Sequence, residues 1–478
     1  MLKNAIGIAF AFIGVLVGAG FASGQETMQY FIAFGTQGIW GAALSSALML
    51  IAGVSILQLG SYFQANEHME VLGSVSSKVM SWILDIATIT TLFSIGFVMY
   101  AGAGANLNQQ FGWPVWIGAT LMLALVLVIG MMDVDKVTAA VGAVTPLLLF
   151  FVIFGCIWTL YTSDLDWSNL NAQAQEVSTT LPNWWISSLN YTGLNAICVA
   201  SMALVIGGNY LDTRAAGLGG FLGGMGYLVM LLLLSCGLLA AVGSIAGDAM
   251  PMLTLITNIH PVLGFIMSLV IFGMIFATAL GMFFALGKRL ARGRQERFRP
   301  IFITTCLIGF ALSFVGFKTL VSVVYPILGY LGILLVAVLA AAWLRSSQKL
   351  RKEGNRRRRA RELMRLKLDP RERFTKNDEK ELNYIIQASI VDNEELEAAL
   401  EEEVGKELID DNEVEYDPED RDGDVVYVTY TDPQSKEDYA KHPDEPWKGN
   451  PSEEDLAAQW ADDESEREDG GSTVVSER

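Results

Sequence analysis

The stretch "IGVLVGAGFASGQE", residues 13–26, interrupts an apolar run that extends from residue 4 to residue 35. Its glycines and small residues form helix weakly and leave the backbone unshielded. Unwound backbone is tolerated at membrane depth only inside protein or along an aqueous cavity, where the ends of half-helices can bind solutes and ions. We interpret the stretch as a broken transmembrane helix at a candidate solute site. Close packing of helices at glycine is the alternative.

Nine further apolar runs follow, each near the roughly 20 residues that a helix needs to cross a bilayer. They cover residues 37–60, 80–104, 114–132, 137–161, 185–208, 215–245, 261–287, 299–317 and 319–344. The sequence therefore predicts an all-α polytopic membrane protein with ten transmembrane helices in residues 1–345. The runs divide five plus five around a loop at 162–184, which predicts two inverted repeats. By this symmetry the sixth run is the partner of the first, and we expect it to be discontinuous near Gly193.

Charge is distributed very unevenly along the chain. The net charge is −18 and 52% of the residues are apolar, yet residues 1–345 hold 12 Lys and Arg against 12 Asp and Glu. Residues 346–376 form a basic juxtamembrane segment with a net charge of +9, and residues 377–478 carry −27. We expect the latter to be an acidic, mostly disordered cytoplasmic tail with one helix at 378–408. It either solvates the protein or contacts the basic segment within the same chain.

The basic residues predict the orientation, since loops rich in Lys and Arg stay in the cytoplasm. If the N-terminus is inside, that side carries nearly all the Lys and Arg of residues 1–345, and only Lys318 lies opposite. We expect a multi-pass protein of the cell membrane with both termini cytoplasmic. Membrane lipids and a small-molecule solute are the expected partners, and nucleic acid is not. Metal-ligand spacing and nucleotide-binding motifs are absent from the sequence, so we expect neither an enzyme nor a cofactor.

A carboxylate within a membrane span is a functional hypothesis by default, so Glu26 is a candidate gate or ion-pathway residue. The alternative is that its side chain reaches water at the outer end. The backbone of the break could bind a solute carboxylate, and carbonyl or asparagine oxygens could bind an ammonium group. Tyr100 in the third run is a candidate aromatic gate, or else a packing residue. The candidate solute contacts are Gly18, Ala19, Gly20, Phe21, Ala22, Ser23, Asn190, Tyr191, Gly193, Asn195 and Tyr100.

The segment "VGAGFASGQE" followed by "QYFIAFGTQG" resembles the YkvI-type bacterial membrane proteins. These are similar to the amino acid–polyamine–organocation superfamily with its LeuT-like fold, and the resemblance covers residues 1–345. It implies secondary transport, with the solute held between discontinuous first and sixth helices. It also implies a sodium position at the backbone near Val17–Gly20 and at Thr278. Thr278 is a single hydroxyl residue, where the sodium-binding pattern often has two adjacent ones. Proton coupling is therefore the other possibility that the resemblance implies. Lys136 is a candidate proton-coupling residue, although it lies near the membrane surface at the start of the fifth run.

Two functions follow from these observations. The first is a secondary active transporter of a small organic solute, amino acid-like, that works by alternating access around a midplane site. The second is a transporter-like membrane receptor or scaffold that positions a regulatory cytoplasmic tail. Substitution of Gly20 and Glu26 would distinguish them, because the first function predicts a loss of solute uptake and the second a change in tail-dependent partners only.

Overall fold

The computed structural model describes residues 2–65, 71, 78–131, 144–163, 166–291, 294–369, 371–372 and 374–410. The chain divides into two units, Met1–Ser347 and Gln348–Arg478. Within the described residues of both units, all regular secondary structure is helical. Lys136 and the part of the tail beyond residue 410 lie outside the described residues, so the expectations for them stay predictions.

The first unit begins with three short helices in the first apolar run, α1 (Leu2–Leu16), α2 (Ala19–Ser23) and α3 (Gln25–Tyr30). The helices that follow are α4 (Thr36–Phe63), α5 (Lys78–Phe111), α6 (Val115–Gly130), α7 (Val144–Thr162), α8 (Trp167–Ala174), α9 (Trp184–Gly208), α10 (Thr213–Ala240), α11 (Val242–Ile245), α12 (Pro251–Ile259), α13 (Pro261–Ala291), α14 (Gln295–Leu312) and α15 (Phe317–Leu368). Short 3₁₀ turns lie at Ile32–Phe34 and Ser313–Val315.

The prediction of an all-α multi-pass membrane protein is confirmed. Eight helices among the described residues are long and apolar enough to cross a membrane, namely α4, α5, α7, α9, α10, α13, α14 and α15. Two shorter apolar helices, α1 and α6, occupy the first and fourth predicted runs. The count of ten spans stays a prediction, since these two fall short of a full crossing length.

Helix pairs five runs apart in the sequence lie against one another. The second run packs on the seventh as α4 against α10, and the third packs on the eighth as α5 against α13. The first run packs on the sixth as α1 against α9, and α4 also packs closely along α9. Such pairing between equivalent positions agrees with two related five-helix halves that face each other.

The expected discontinuity in the sixth run is wrong, because α9 is one uninterrupted helix from Trp184 to Gly208. Gly193 serves close packing instead. A Cβ atom at Gly193 would lie 2.2 Å from the carbonyl oxygen of Gly329 and 2.6 Å from the amide nitrogen of Ile333. Gly332 faces Gly193 in the same way, with 1.9 Å between its hypothetical Cβ and the Gly193 oxygen. The glycines let the backbones of α9 and α15 touch, which was the alternative reading for glycine in membrane helices.

The second unit contains the part of α15 from residue 348 onward, α16 (Lys376–Ala388) and α17 (Asn393–Asp410). Its apolar side chains are buried, among them Leu350, Leu363, Met364, Phe374, Leu382, Ile385, Ile386, Leu396, Leu400, Val404 and Leu408. The single helix predicted at 378–408 is thus two helices. Ser389 ends the first in an extended conformation and its hydroxyl donates to Glu353 at 2.5 Å, while Asp392 accepts from the amide of Glu394 at 3.0 Å.

Ion pairs join the basic part of α15 to the acidic helices of the same unit. Arg359 contacts Glu381 at 2.7 Å, and Arg361 contacts Glu407 at 2.7 Å. Lys367 contacts Glu397 at 3.5 Å. Most of the described part of the basic segment 346–376 therefore packs within the helical unit through these ion pairs.

Candidate functional site

The break in the first run is confirmed, and its backbone geometry follows from the glycines. Helix α1 ends at Leu16, and Gly18 is extended with φ −95° and ψ −167°. After the short helix α2, Gly24 adopts φ +76°, the left-handed region that glycine enters at no steric cost. The Gly24 amide donates to the carbonyl oxygens of Gly20 at 3.2 Å and Phe21 at 3.3 Å, which closes the end of α2.

Ser23 stabilises this turn with its side chain. Its hydroxyl donates to the Gly20 carbonyl at 3.0 Å and accepts from the Gln25 amide at 3.2 Å. A predicted solute contact at Ser23 would therefore compete with hydrogen bonds that hold the break in shape. The carbonyl of Val17, by contrast, accepts no backbone hydrogen bond from the part of the chain that the structure describes.

Glu26 folds back onto the break. A Cβ atom at Gly20 would lie only 1.5 Å from Glu26 Oε1, so the carboxylate occupies the space that a side chain at Gly20 would need. The Tyr191 hydroxyl on α9 lies within hydrogen-bonding reach of the same carboxylate. The structure thus brings together the predicted residues Gly20, Glu26 and Tyr191.

The two predicted asparagines of α9 already have partners in the protein. Asn190 accepts from the Tyr30 hydroxyl at 3.0 Å and donates to the Pro326 carbonyl at 2.8 Å, so it ties α3 and α15 to α9. Asn195 donates to the Tyr191 carbonyl one turn earlier at 2.9 Å. Asn190 is accordingly a buried structural link, and Asn195 is the freer of the two.

The structure also brings together the residues predicted to form the ion site. The Thr278 hydroxyl on α13 lies 4.0 Å from the Cβ position of Gly18. That hydroxyl donates to the Met274 carbonyl at 2.9 Å, which leaves its oxygen lone pairs available. Val17, Gly18 and Thr278 are therefore neighbours, although they are about 260 residues apart in the sequence.

Tyr100 lies elsewhere in the core. Its side chain is buried and stacks on Phe283 of α13 with 5.1 Å between ring centroids and an 18° angle between planes. Among the contacts of the described residues, none joins Tyr100 to the break. This placement favours the packing interpretation over the aromatic gate.

Three tyrosines near Glu26 were missed by the sequence analysis. Tyr30, Tyr227 and Tyr325 are buried and lie within electrostatic range of its carboxylate. Tyr30 lies on α3 one turn after Glu26, whereas Tyr227 and Tyr325 come from α10 and α15, so only the tertiary fold places those two beside Glu26. Tyr227 offered a signal, since it is the one polar aromatic residue in the glycine-rich run "GLGGFLGGMGYLVM".

The site is therefore a carboxylate at a helix break, with tyrosines from the three further helices α9, α10 and α15 near it. Comparison with known proteins places this geometry in a recognised architecture. No protein-family model matches the chain. The chain is similar to MhsT in its complex with L-phenylalanine, with a TM-score of 0.52 and 12% identity over 73% of this chain and 91% of that one. The fold is LeuT-like.

Two curated relatives confirm the resemblance drawn from the first run. The chain is 24% identical over 332 residues to the uncharacterized membrane protein YkvI of Bacillus subtilis (strain 168), across 70% of this chain and 94% of that one. It is 25% identical over 329 residues to YyaD of the same organism, across 68% of this chain and 93% of YyaD.

Proposed function

We propose that the protein is a secondary active transporter of a small organic solute, amino acid-like, that works by alternating access. The solute site lies at the break of the first run, facing α9, near the middle of the membrane. The observation that carries this proposal is the buried break at residues 17–24 with the Glu26 carboxylate folded onto it. Unwound backbone and a carboxylate within a membrane span are both costly, and both are typical of solute and ion sites.

The LeuT-like fold supports the proposal, since discontinuous helices near the midplane bind solutes and coupling ions in transporters of this design. MhsT, which shares the fold, is known in complex with L-phenylalanine, and this favours an amino acid-like solute here. The uninterrupted α9 differs from the expected pair of broken helices. In our proposal α9 contributes Tyr191 and Asn195 to the site through side chains rather than through free backbone groups.

The coupling ion in this proposal is sodium or a proton, and transport is symport. The Val17 carbonyl and the Thr278 hydroxyl, both beside Gly18, are oxygen atoms of the kind that hard cations prefer. Glu26 is the corresponding candidate for a proton. Sodium-dependent binding would select the first arrangement and sodium-independent, pH-dependent binding the second.

The proposed location is the cell membrane, with both termini cytoplasmic as the distribution of Lys and Arg indicates. Lys288, Arg289 and Arg345 lie on the cytoplasmic side in this orientation. Arg289 pairs with Asp85, with Nε and Oδ1 at 2.8 Å, which joins α5 to α13 at that side. Lipids contact the exposed apolar side chains of the spans, and no nucleic-acid partner is proposed.

The second candidate function is a transporter-like receptor or scaffold that positions a regulatory tail. The helical unit at 348–410, with its buried apolar residues and ion pairs, is the observation that favours it. Such a unit has more structure than a solvating tail needs. A partner that binds this unit, without any solute flux, would support the scaffold.

Transport is tested by reconstituting the full chain into vesicles and measuring uptake of radiolabelled amino acids with and without a sodium or proton gradient. A second measurement is the thermal unfolding of the purified protein with a panel of solutes, because a ligand of the folded state raises the midpoint. We expect gradient-driven uptake of at least one solute class that also stabilises the protein. Absence of both effects for every solute would favour the scaffold.

A further inference from the structure

A cluster of cationic side chains lies where α13 ends and α14 begins. We call it the basic cluster, and its members are Lys288 near the end of α13, Arg294 just before α14, and Arg297 and Arg299 near the start of α14. All four side chains are exposed, and the ion pairs within the described ranges include none of them. The acidic residue among them is Glu296, which is also exposed, so the cluster keeps an excess of positive charge.

Other cations of the chain have carboxylate partners. Next to the basic cluster, Arg289 contacts Asp85 with Nε and Oδ1 at 2.8 Å. In the second unit, the cations Arg359, Arg361 and Lys367 contact carboxylates of α16 and α17. The basic cluster is therefore positive charge that the described part of the protein does not compensate. A concentrated positive surface of this kind attracts anions.

The connection between two consecutive spans fixes the depth of the basic cluster in the membrane. Helices α13 and α14 are both long and apolar enough to cross a bilayer, and only residues 292–294 separate them. The Arg294 amide donates to the Ala291 carbonyl at 3.0 Å, and the Arg297 amide donates to the Arg294 carbonyl at 3.0 Å. Long cationic side chains at the ends of spans extend to the level of the lipid headgroups. Lipid phosphates are accordingly the anions at this depth.

Aromatic packing holds the two helices together at the cluster. The Phe298 ring packs against Phe284 with centroids 5.1 Å apart and against Phe302 at 5.6 Å. A Cβ atom at Gly287 would lie 2.9 Å from the Phe298 ring, so this glycine admits the ring to the surface of α13. Lys288 Nζ lies 4.7 Å from the Phe284 ring centroid. Cations on helix ends that are packed in this way bind an anion at a lower entropic cost.

We propose that the basic cluster binds the phosphate headgroup of an anionic phospholipid. Guanidinium groups donate paired hydrogen bonds to phosphate oxygens, and the Lys288 ammonium adds a point charge. Leu290, in the same turn as Lys288, is 39% exposed and offers an apolar contact to an acyl chain, which a soluble anion lacks. Lipid binding at this cluster is separate from the proposed transport function, so either can fail without the other.

The test uses the purified full chain in detergent and two short-chain lipids, dioctanoyl phosphatidylglycerol and the zwitterionic dioctanoyl phosphatidylcholine. Isothermal titration calorimetry measures the affinity for each lipid at low and at high sodium chloride concentration. We expect saturable binding of phosphatidylglycerol, about tenfold tighter than that of phosphatidylcholine. The difference should shrink at about 1 M salt, where the Debye length falls to about 3 Å.

A charge-neutral variant assigns the binding to the cluster. The triple replacement Arg294→Gln, Arg297→Gln and Arg299→Gln should weaken phosphatidylglycerol binding about tenfold or more. The matched control removes the same charge at three exposed lysines of the second unit, by Lys376→Gln, Lys380→Gln and Lys406→Gln. Its affinity for the lipid should not change.

A single charge reversal keeps the test decisive if the triple variant fails to fold. Arg299→Glu changes one exposed side chain and should weaken the binding of phosphatidylglycerol about fivefold or more. Retained affinity in both variants would overturn the proposal, and so would phosphatidylcholine binding as tight as that of phosphatidylglycerol.

Two further probes distinguish the lipid from other anions. Glycerol phosphate that binds as tightly as the lipid would overturn the proposal, because the cluster would then be a site for a soluble phosphate. A synthetic peptide of the acidic residues 451–469 that displaces phosphatidylglycerol at equal concentration would overturn it as well, since the tail would then be the occupant. We expect neither probe to compete at equal concentration.

Discussion

Glu26 in the first unit is half-buried and Glu353 in the second is buried, and the groups around the two carboxylates differ. Glu353 is 1% exposed and contacts Arg357 Nε at 2.9 Å, while the Ser389 hydroxyl donates to it at 2.5 Å. Glu26 has the Tyr191 hydroxyl and aromatic rings around it, and no cationic group from the described residues. The difference teaches that the carboxylate of Glu353 has a cationic partner within its own unit, whereas Glu26 has none among the described residues.

The two units also hold together differently. The first unit relies on close backbone contacts at glycine, as between Gly193 and Gly329. The second unit combines a small apolar core with ion pairs between α15 and the acidic helices. In lipid, apolar side chains gain little by leaving the solvent, so helix association depends on close packing. In water the hydrophobic effect and charge pairing are available.

The largest effect is expected from breaking the paired carboxylate. Arg357→Ala leaves Glu353 buried without its main partner, and loss of one member of a buried pair typically costs about 3–5 kcal/mol. We expect the second unit to lose that much free energy of unfolding, measured as urea-dependent protease resistance of residues 348–410. The double replacement Glu353→Leu with Arg357→Met is the control and should be close to neutral. A loss below about 1 kcal/mol would mean that Arg356 replaces Arg357.

The next effect concerns packing in the first unit. Gly193→Ala puts a methyl group 2.2 Å from the Gly329 carbonyl oxygen, and backbone on both sides cannot move aside cheaply. Overpacking of this kind typically costs about 1–3 kcal/mol. We expect a lower thermal midpoint for the purified protein. Gly281→Ala is the matched control, since nothing lies within 4 Å of a Cβ there, and its midpoint should not fall. An unchanged midpoint in Gly193→Ala would reopen a solute role for that residue.

A smaller effect is expected at the hydroxyl that faces Glu26. Tyr191→Phe keeps the ring and removes the hydroxyl within reach of the carboxylate. A hydrogen bond to a charged group contributes about 1.5–3 kcal/mol at most, and a ligand can replace part of it. We expect the affinity for the transported solute to fall by about fivefold, or roughly 1 kcal/mol, with stability nearly unchanged. Tyr161→Phe, at a tyrosine that is 87% exposed, is the control. A loss of stability without any loss of affinity would make Tyr191 purely structural.

The smallest effect is expected from an exposed ion pair of the second unit. Lys406 contacts Glu402 one turn earlier on α17, and both side chains are about 70% exposed (71% and 68%). Pairs at this spacing contribute about 0.3–0.5 kcal/mol and are screened by salt. Lys406→Ala should therefore lower the stability of the unit only marginally, and less so at 1 M salt. A loss comparable with that of Arg357→Ala would contradict the distinction between buried and exposed charge.

Much of the architecture could be predicted because its causes are local. Apolar runs long enough to cross a membrane predict helices. The glycines at 18, 20 and 24 predict a break, because each glycine changes the backbone conformation at its own position. The expectation for Gly193 failed for the same reason. In the sequence, a glycine that breaks a helix cannot be distinguished from one that lets another helix pack closely. The residue that packs against Gly193 is Gly329, which is 136 residues away in the sequence.

The sequence by itself determined that this is a multi-pass helical membrane protein, that its first span is interrupted, and that a carboxylate follows the interruption. The length of an apolar run, the positions of glycines and the positions of charges are given by the sequence alone, so they can be recognised without coordinates. Only the tertiary structure decided what surrounds that carboxylate. Tyr191, Tyr227 and Tyr325 reach Glu26 from three separate helices, and Asn190 is already bound to Tyr30 and Pro326. Such contacts arise from packing between distant segments, and no local pattern encodes them.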